Sequence, residues 1–90
     1  MSSTKPTAAK LMHVKIYAPF NVYFAGPAAS VSAENDTGPF DILPHHKNFM
    51  TLLKSSVITV RVPDKPDFTI KVTRGVMHIK ADRVTVFLDV

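Results

Sequence analysis

Cysteine is missing altogether from the 90 residues, so no disulfide framework and no thiolate metal site can form, and stability must come from packing alone. Glycine is scarce. Gly26, Gly38 and Gly75 are the only three, which leaves no phosphate loop. A Gly-x-Ser-x-Gly nucleophile elbow is absent as well. Acids are few: seven against eleven Lys and Arg, with Glu34 the one glutamate, leaving a net charge of +4. A balance of that size implies mild attraction to acidic surfaces and does not by itself indicate nucleic acid. Membrane-spanning helices are excluded too. The uncharged stretch from Ile16 to Ala33 is long enough to test, but Pro19, Asn21, Gly26 and Pro27 interrupt it, and a helix does not carry two interior prolines comfortably.

What is present is globular and β-patterned. Hydrophobic residues make up 46% and charged residues 20%, which is enough to build one modest core and too apolar for a disordered chain. Met1 to Lys10 is small, polar and aperiodic, and reads as a flexible leader before a single domain over 11–90. From Leu11 the pattern has period two. Met12, Val14 and Ile16 share one face, with His13, Lys15 and Tyr17 on the other. Asn21 to Ala25 forms a second strand that Gly26-Pro27 is expected to end, and Ala28 to Ala33 forms a third. Glu34 to Pro39 carries turn chemistry, with Gly38 free to take positive φ.

Further along, Phe40 to Leu43 and Phe49 to Lys54 are apolar segments flanking Pro44-His45-His46-Lys47; the second is short enough to pass for a helical turn. Ile58, Val60 and Val62 then alternate with polar neighbours, Pro63 to Asp67 turns the chain, and Phe68, Ile70 and Val72 alternate in return, as in a hairpin. Met77 and Ile79, then Val84, Val86 and Leu88, complete the series after turns at Arg74-Gly75 and Ala81-Asp82-Arg83. No stretch of helix length keeps a 3.6-residue period. The expected fold is all-β, a two-sheet sandwich or flattened barrel of eight to ten short strands, with most aromatics in its core.

Chemistry-bearing groups are sparse. His45-His46 invites a metal, but adjacent side chains in extended backbone diverge, and a third ligand would have to come from His13, His78 or a distant aspartate; an exposed loop pair is the better reading. Ser55-Ser56 has no histidine nearby in sequence, and Asp64 and Asp67 flank prolines in a turn, so no catalytic residue is expected. Single-strand nucleic-acid binding would interleave aromatics with Lys or Arg on one sheet face. The eight aromatics (Tyr17, Phe20, Tyr23, Phe24, Phe40, Phe49, Phe68 and Phe87) are scattered along the chain, which makes this the weaker reading.

In order and spacing, Phe24-Ala25-Gly26, Val31-Ser32-Ala33 and the run Gly38-Pro39-Phe40-Asp41-Ile42-Leu43-Pro44-His45-His46 resemble the N-terminal domain of the F-type ATP synthase epsilon subunit, the mitochondrial delta homologue. Gly75 to Lys80 and Val84 to Leu88 resemble that family's last two strands, so the likeness covers nearly all of Leu11 to Val90. Four positions depart from the family pattern. Asp41 and His45 stand where glycines are usual, Arg74 replaces one of a glycine pair, and Pro39 occupies an often acidic site.

The resemblance implies a non-catalytic, cofactor-free central-stalk rotor subunit of a proton-translocating enzyme, present in single copy and linking the gamma shaft to the c ring. It would be peripheral on the cytoplasmic face of the inner membrane. It further implies an interaction loop of Gly38, Pro39, Phe40, Asp41, Pro44, His45 and His46, with His46 facing the ring. The C-terminal helical hairpin common in epsilon subunits is expected to be absent from these 90 residues, either because the chain is cut at the domain boundary or because the protein is naturally short. If it is short, rotor assembly without self-inhibition is expected. A stand-alone β-sandwich adaptor sharing only the fold remains the alternative.

Overall fold

The computed structural model describes residues 11–45 and 47–89. Nine strands and no helix occur among the described residues: β1 (Met12–Ala18), β2 (Asn21–Ala28), β3 (Ser30–Asn35), β4 (Gly38–Ile42), β5 (Phe49–Leu53), β6 (Ser56–Arg61), β7 (Phe68–Val72), β8 (Gly75–Lys80) and β9 (Arg83–Leu88). They form two sheets, a five-stranded one ordered β2-β1-β9-β8-β5 and a four-stranded one ordered β4-β3-β6-β7. The strands that open and close this series, β1 and β9, lie side by side and parallel, His13 opposite Arg83 and Tyr17 opposite Phe87. All other pairings are antiparallel. The segment open to a helical reading, Phe49 to Lys54, is strand β5 followed by Lys54.

The period-two pattern places side chains as parity requires. Met12, Val14 and Ile16 of β1, Met77 and Ile79 of β8, and Val84, Val86 and Leu88 of β9 are almost fully buried against Val31, Ile42, Ile58, Val60 and Val72 of the facing sheet. The core is aliphatic. None of the eight aromatics is fully buried. Four of them, Phe24, Phe40, Phe49 and Phe68, pack against the core from its margin, whereas most are expected inside it from the sequence. Two aromatic pairs instead close the long seams where the sheets' edges meet. Phe24 of β2 packs on Phe68 of β7 at 5.1 Å between ring centroids, and Phe40 of β4 on Phe49 of β5 at 6.0 Å. Rings are wide enough to bridge two sheets that diverge toward their edges, where aliphatic side chains would leave a gap.

Gly26-Pro27 does not end the second strand. Gly26 pairs with Val14 and Pro27 with His13, inside β2. Proline is tolerated there because β2 is a sheet edge, where no outward ladder bond is lost, and Pro39 sits in the other sheet's edge strand β4 for the same reason. The expected turn at Glu34 to Pro39 narrows to two residues, Asp36 and Thr37. Asn35 pairs with Gly38 across them, and Gly38 takes φ 118°.

The β8–β9 connection is also two residues long, Lys80 lying opposite Arg83. Both connecting residues have positive φ, Ala81 at 50° and Asp82 at 61°. Such primed turns match the sheet twist but favour Asn and Gly, and alanine gains nothing there to offset its crowded Cβ. Ala81→Asn is therefore expected to stabilise the domain by roughly 0.5–1 kcal/mol, read as a higher urea midpoint at unchanged slope. An unchanged or lower midpoint would refute the strain.

Candidate functional site

The seven residues of the expected interaction loop do not form one loop. Gly38, Pro39, Phe40 and Asp41 lie in strand β4, whereas Pro44 and His45 lie in the turn beyond its other end; His46 falls outside the described residues. The physical reason is extended backbone, which carries the chain roughly 14 Å between Gly38 and Ile42. Gly38 thus stands at one pole of the sandwich and His45 at the other. Within β4 the alternation splits the group again. Phe40 turns inward onto Phe49, and Asp41 turns outward, accepting a hydrogen bond from Ser32 Oγ at 2.5 Å.

His45 occupies the left-handed region at φ 69°, which accounts for the glycine usual there in the resembling family. The bend is held by Asp82. Its carboxylate accepts the His45 backbone N–H at 2.7 Å and lies 3.9 Å from the imidazole Nδ1. The Asp82 carbonyl in turn accepts the His13 N–H at 2.9 Å, and Asn48 accepts the Ala81 N–H at 3.4 Å. The short β8–β9 turn thereby anchors the Pro44-His45 segment and the start of β1 at one pole. Because His45 is not extended, the strand-geometry argument against a shared metal does not apply at that residue. No group of three or more metal-ligating side chains occurs among the described residues.

The two outer faces differ in chemistry. On the four-stranded sheet, Arg61 donates to Ser32 Oγ at 2.7 Å and to the buried Ser30 Oγ at 3.4 Å, and Ser32 donates to Asp41. Thr59 and Thr69 lie directly opposite one another beside this network. On that face Ser30, Ser32, Asp41 and Arg61 satisfy one another.

On the five-stranded sheet, cross-strand register aligns Val22, Tyr17, Phe87, Val76 and Leu52 into one row across all five strands. Leu52 is 69% exposed and Val22 60%. Tyr17 and Phe87 meet edge-to-face at 5.2 Å. At the Leu52 end the row opens into a shallow depression whose rim residues Lys54, Arg74 and Asp89 are ion-paired, Lys54 with Glu34 and Arg74 with Asp89. Contiguous exposed apolar side chains of this kind are a common mark of interaction surfaces.

Sequence reasoning listed Tyr17 and Phe87 as scattered aromatics and missed this row. The signal that could have found it is the parallel pairing of the strands that begin and end the domain, which is not a local feature.

The fold defines a class, the two-sheet β-sandwich, here with the apolar row on one outer face and the Ser32–Asp41–Arg61 network on the other. The chain belongs to the family of the ATP synthase, Delta/Epsilon chain, beta-sandwich domain, whose model matches residues 11–90. It is 30% identical over 79 residues to the ATP synthase epsilon chain of Nitrosomonas eutropha, covering 88% of this chain and 56% of that protein. With the epsilon chain of Exiguobacterium sp. (strain ATCC BAA-1283 / AT1b) it shares 33% over 78 residues, covering 87% and 57%. The chain thus spans a little over half the length of these relatives.

Among solved structures, a chain of the Euglena gracilis mitochondrial ATP synthase OSCP/F1/c-ring assembly superposes with a TM-score of 0.82 at 12% identity, covering 88% of this chain and 51% of that one. A chain of the Tetrahymena thermophila mitochondrial ATP synthase central stalk/c-ring superposes at 0.74 and 15% identity, covering 86% and 62%. At these identities the likeness is one of fold. Among the described residues no helix is long and apolar enough to cross a membrane.

Proposed function

We propose that this chain acts as a non-catalytic part of the central stalk of a proton-translocating ATP synthase, joining the gamma shaft to the ring of c subunits. It would serve peripherally, at the cytoplasmic face of the membrane that holds the ring. Family membership and the assemblies that contain its structural neighbours support this role. The observation that carries it further is the contrast between the two outer faces. Gamma seats on the five-stranded sheet, whose apolar row from Val22 to Leu52 needs cover. The hydroxyl-rich face around Ser32, Asp41 and Arg61 stays in water. The Pro44-His45 pole faces the ring.

Torque needs a stiff body, and two hydrogen-bonded sheets closed over one aliphatic core supply it. The test is binding of the purified chain to the cognate gamma subunit. Wild type is expected to bind at micromolar concentration or better. Phe87→Ser should weaken binding on the order of tenfold, as loss of a central aromatic contact does, whereas Thr69→Arg on the opposite face should leave it unchanged. Absence of binding by wild type rejects the reading; equal loss from both substitutions rejects the assignment of the face.

A further inference from the structure

The five strands of the larger sheet contain no Asp or Glu: their sequences are MHVKIYA, NVYFAGPA, FMTLL, GVMHIK and RVTVFL. Register sorts their outward side chains into three parallel rows. Beyond the apolar row lies Ala25, Lys15, Thr85, His78 and Met50, and beyond that Pro27, His13, Arg83 and Lys80. Successive rows are two residues apart along each strand, roughly 7 Å. The face therefore grades from apolar at the pole of Arg74 and Asp89 to cationic at the pole of Pro44 and His45.

Nothing within the described chain neutralises the cationic side. Among the described residues Lys15, Lys80 and Arg83 make no ion pair, and Lys15 Nζ rests 5.0 Å from the Tyr17 ring centroid. Asp82, in the turn between Lys80 and Arg83, is engaged with His45, and Asp89, at the opposite pole, is engaged with Arg74. Lys80 and Arg83 lie directly opposite one another, and like charges so placed repel. By contrast, Arg61 on the other sheet joins a network that ends on Asp41. An acid-free, self-repelling face beside an exposed apolar row is complementary to one kind of surface.

Resting on the reading that gamma seats on this sheet, we propose that the gamma surface it receives is two-part. One part is an apolar band that covers Tyr17, Phe87, Val76 and Leu52. The other is a strip of carboxylates, one to two rows away on the side toward Pro44, that meets Lys15, Arg83 and Lys80. The pairing fixes the direction in which the sandwich sits on the shaft, because the reversed orientation sets acids against the apolar row and leaves the cations uncovered.

The experiment measures affinity of the full 90-residue chain for purified gamma from about 50 mM to about 500 mM NaCl, a range over which the screening length shortens severalfold. Wild-type affinity is expected to fall on the order of tenfold across the range. Lys15→Glu/Arg83→Glu should bind on the order of tenfold more weakly at low salt and lose that dependence. Lys71→Glu, on the four-stranded sheet, should behave as wild type. Equal thermal midpoints for all three show that folding is not the cause. Salt-independent binding, unaffected by Lys15→Glu/Arg83→Glu, overturns the acidic strip while leaving gamma as partner. No binding by wild type removes the gamma reading and this inference with it. Tighter binding to an oligothymidine strand than to gamma, abolished by Lys15→Glu/Arg83→Glu, also overturns it and makes a nucleic acid the occupant of the face.

Discussion

Replacing Gly75 by alanine is expected to destabilise the domain by roughly 2 kcal/mol, the cost of overpacking a tight site. At about 4–8 °C per kcal/mol for a chain this short, the thermal midpoint should drop by about 8–16 °C. A Cβ added there would stand 2.8 Å from the Phe87 carbonyl oxygen and 3.2 Å from Leu88 Cδ2. Gly75 is the first residue of β8 and pairs with Leu88 in β9, so two central strands of the five-stranded sheet must separate to admit it. Separation disturbs both sides of the sheet at once, because Leu88 is in the core and Phe87 is in the outer apolar row. Gly26 is the control. A Cβ there meets nothing within 4 Å, and alanine should change stability by less than about 0.5 kcal/mol. Equal urea midpoints for the two variants would rule out close approach as the role of Gly75.

That contrast bears on what the sequence makes legible. The motif reading noted Arg74 as a departure from a glycine pair without separating the roles of its two positions. The structure separates them: Arg74 is an exposed side chain that pairs with Asp89 at 2.9 Å, and Gly75 is buried under a neighbouring strand. His45 is comparable, a residue placed where φ is 69° and a glycine would rest without strain. Strand parity was legible throughout because burial of one sheet face imposes a local two-residue period. Met12, Val14, Ile16, Ile58, Val60, Met77, Ile79, Val84, Val86 and Leu88 are all buried as that period requires.

What was illegible is whatever depends on which strands become neighbours. Pro27 looked like a strand end because local propensity cannot tell an edge strand from a central one. The interaction loop looked continuous because nothing local shows that Gly38 to Ile42 is a strand, β4, running from pole to pole before Pro44. The apolar row and the acid-free face required the parallel pairing of β1 with β9, a contact between residues far apart in sequence.

The same non-locality explains the aromatics, and it sets the second large effect. Phe68→Ala is expected to cost about 2–3 kcal/mol, somewhat less than the 3–5 typical of a fully buried ring because Phe68 is only partly covered. Phe40→Ala should cost less, although both rings are half-buried. The difference lies in what else holds each seam. Beside Phe40 and Phe49, β3 and β5 are bridged by the Asn35–Thr51 hydrogen bond, by Lys54 N–H donating to the Glu34 carbonyl, and by the Lys54–Glu34 ion pair. At the opposite seam β2 and β7 are not paired, and the Phe24–Phe68 contact spans the gap beside a shallow groove lined by Val62, Pro63 and Pro66. A double-mutant cycle on Phe24 and Phe68 should return a coupling of about 0.5–1.5 kcal/mol. Phe20→Ala, at a ring 95% exposed in the β1–β2 turn, should leave the midpoint where it is. If Phe40→Ala proves the more damaging substitution, the seam between β2 and β7 is held by something other than its aromatic pair.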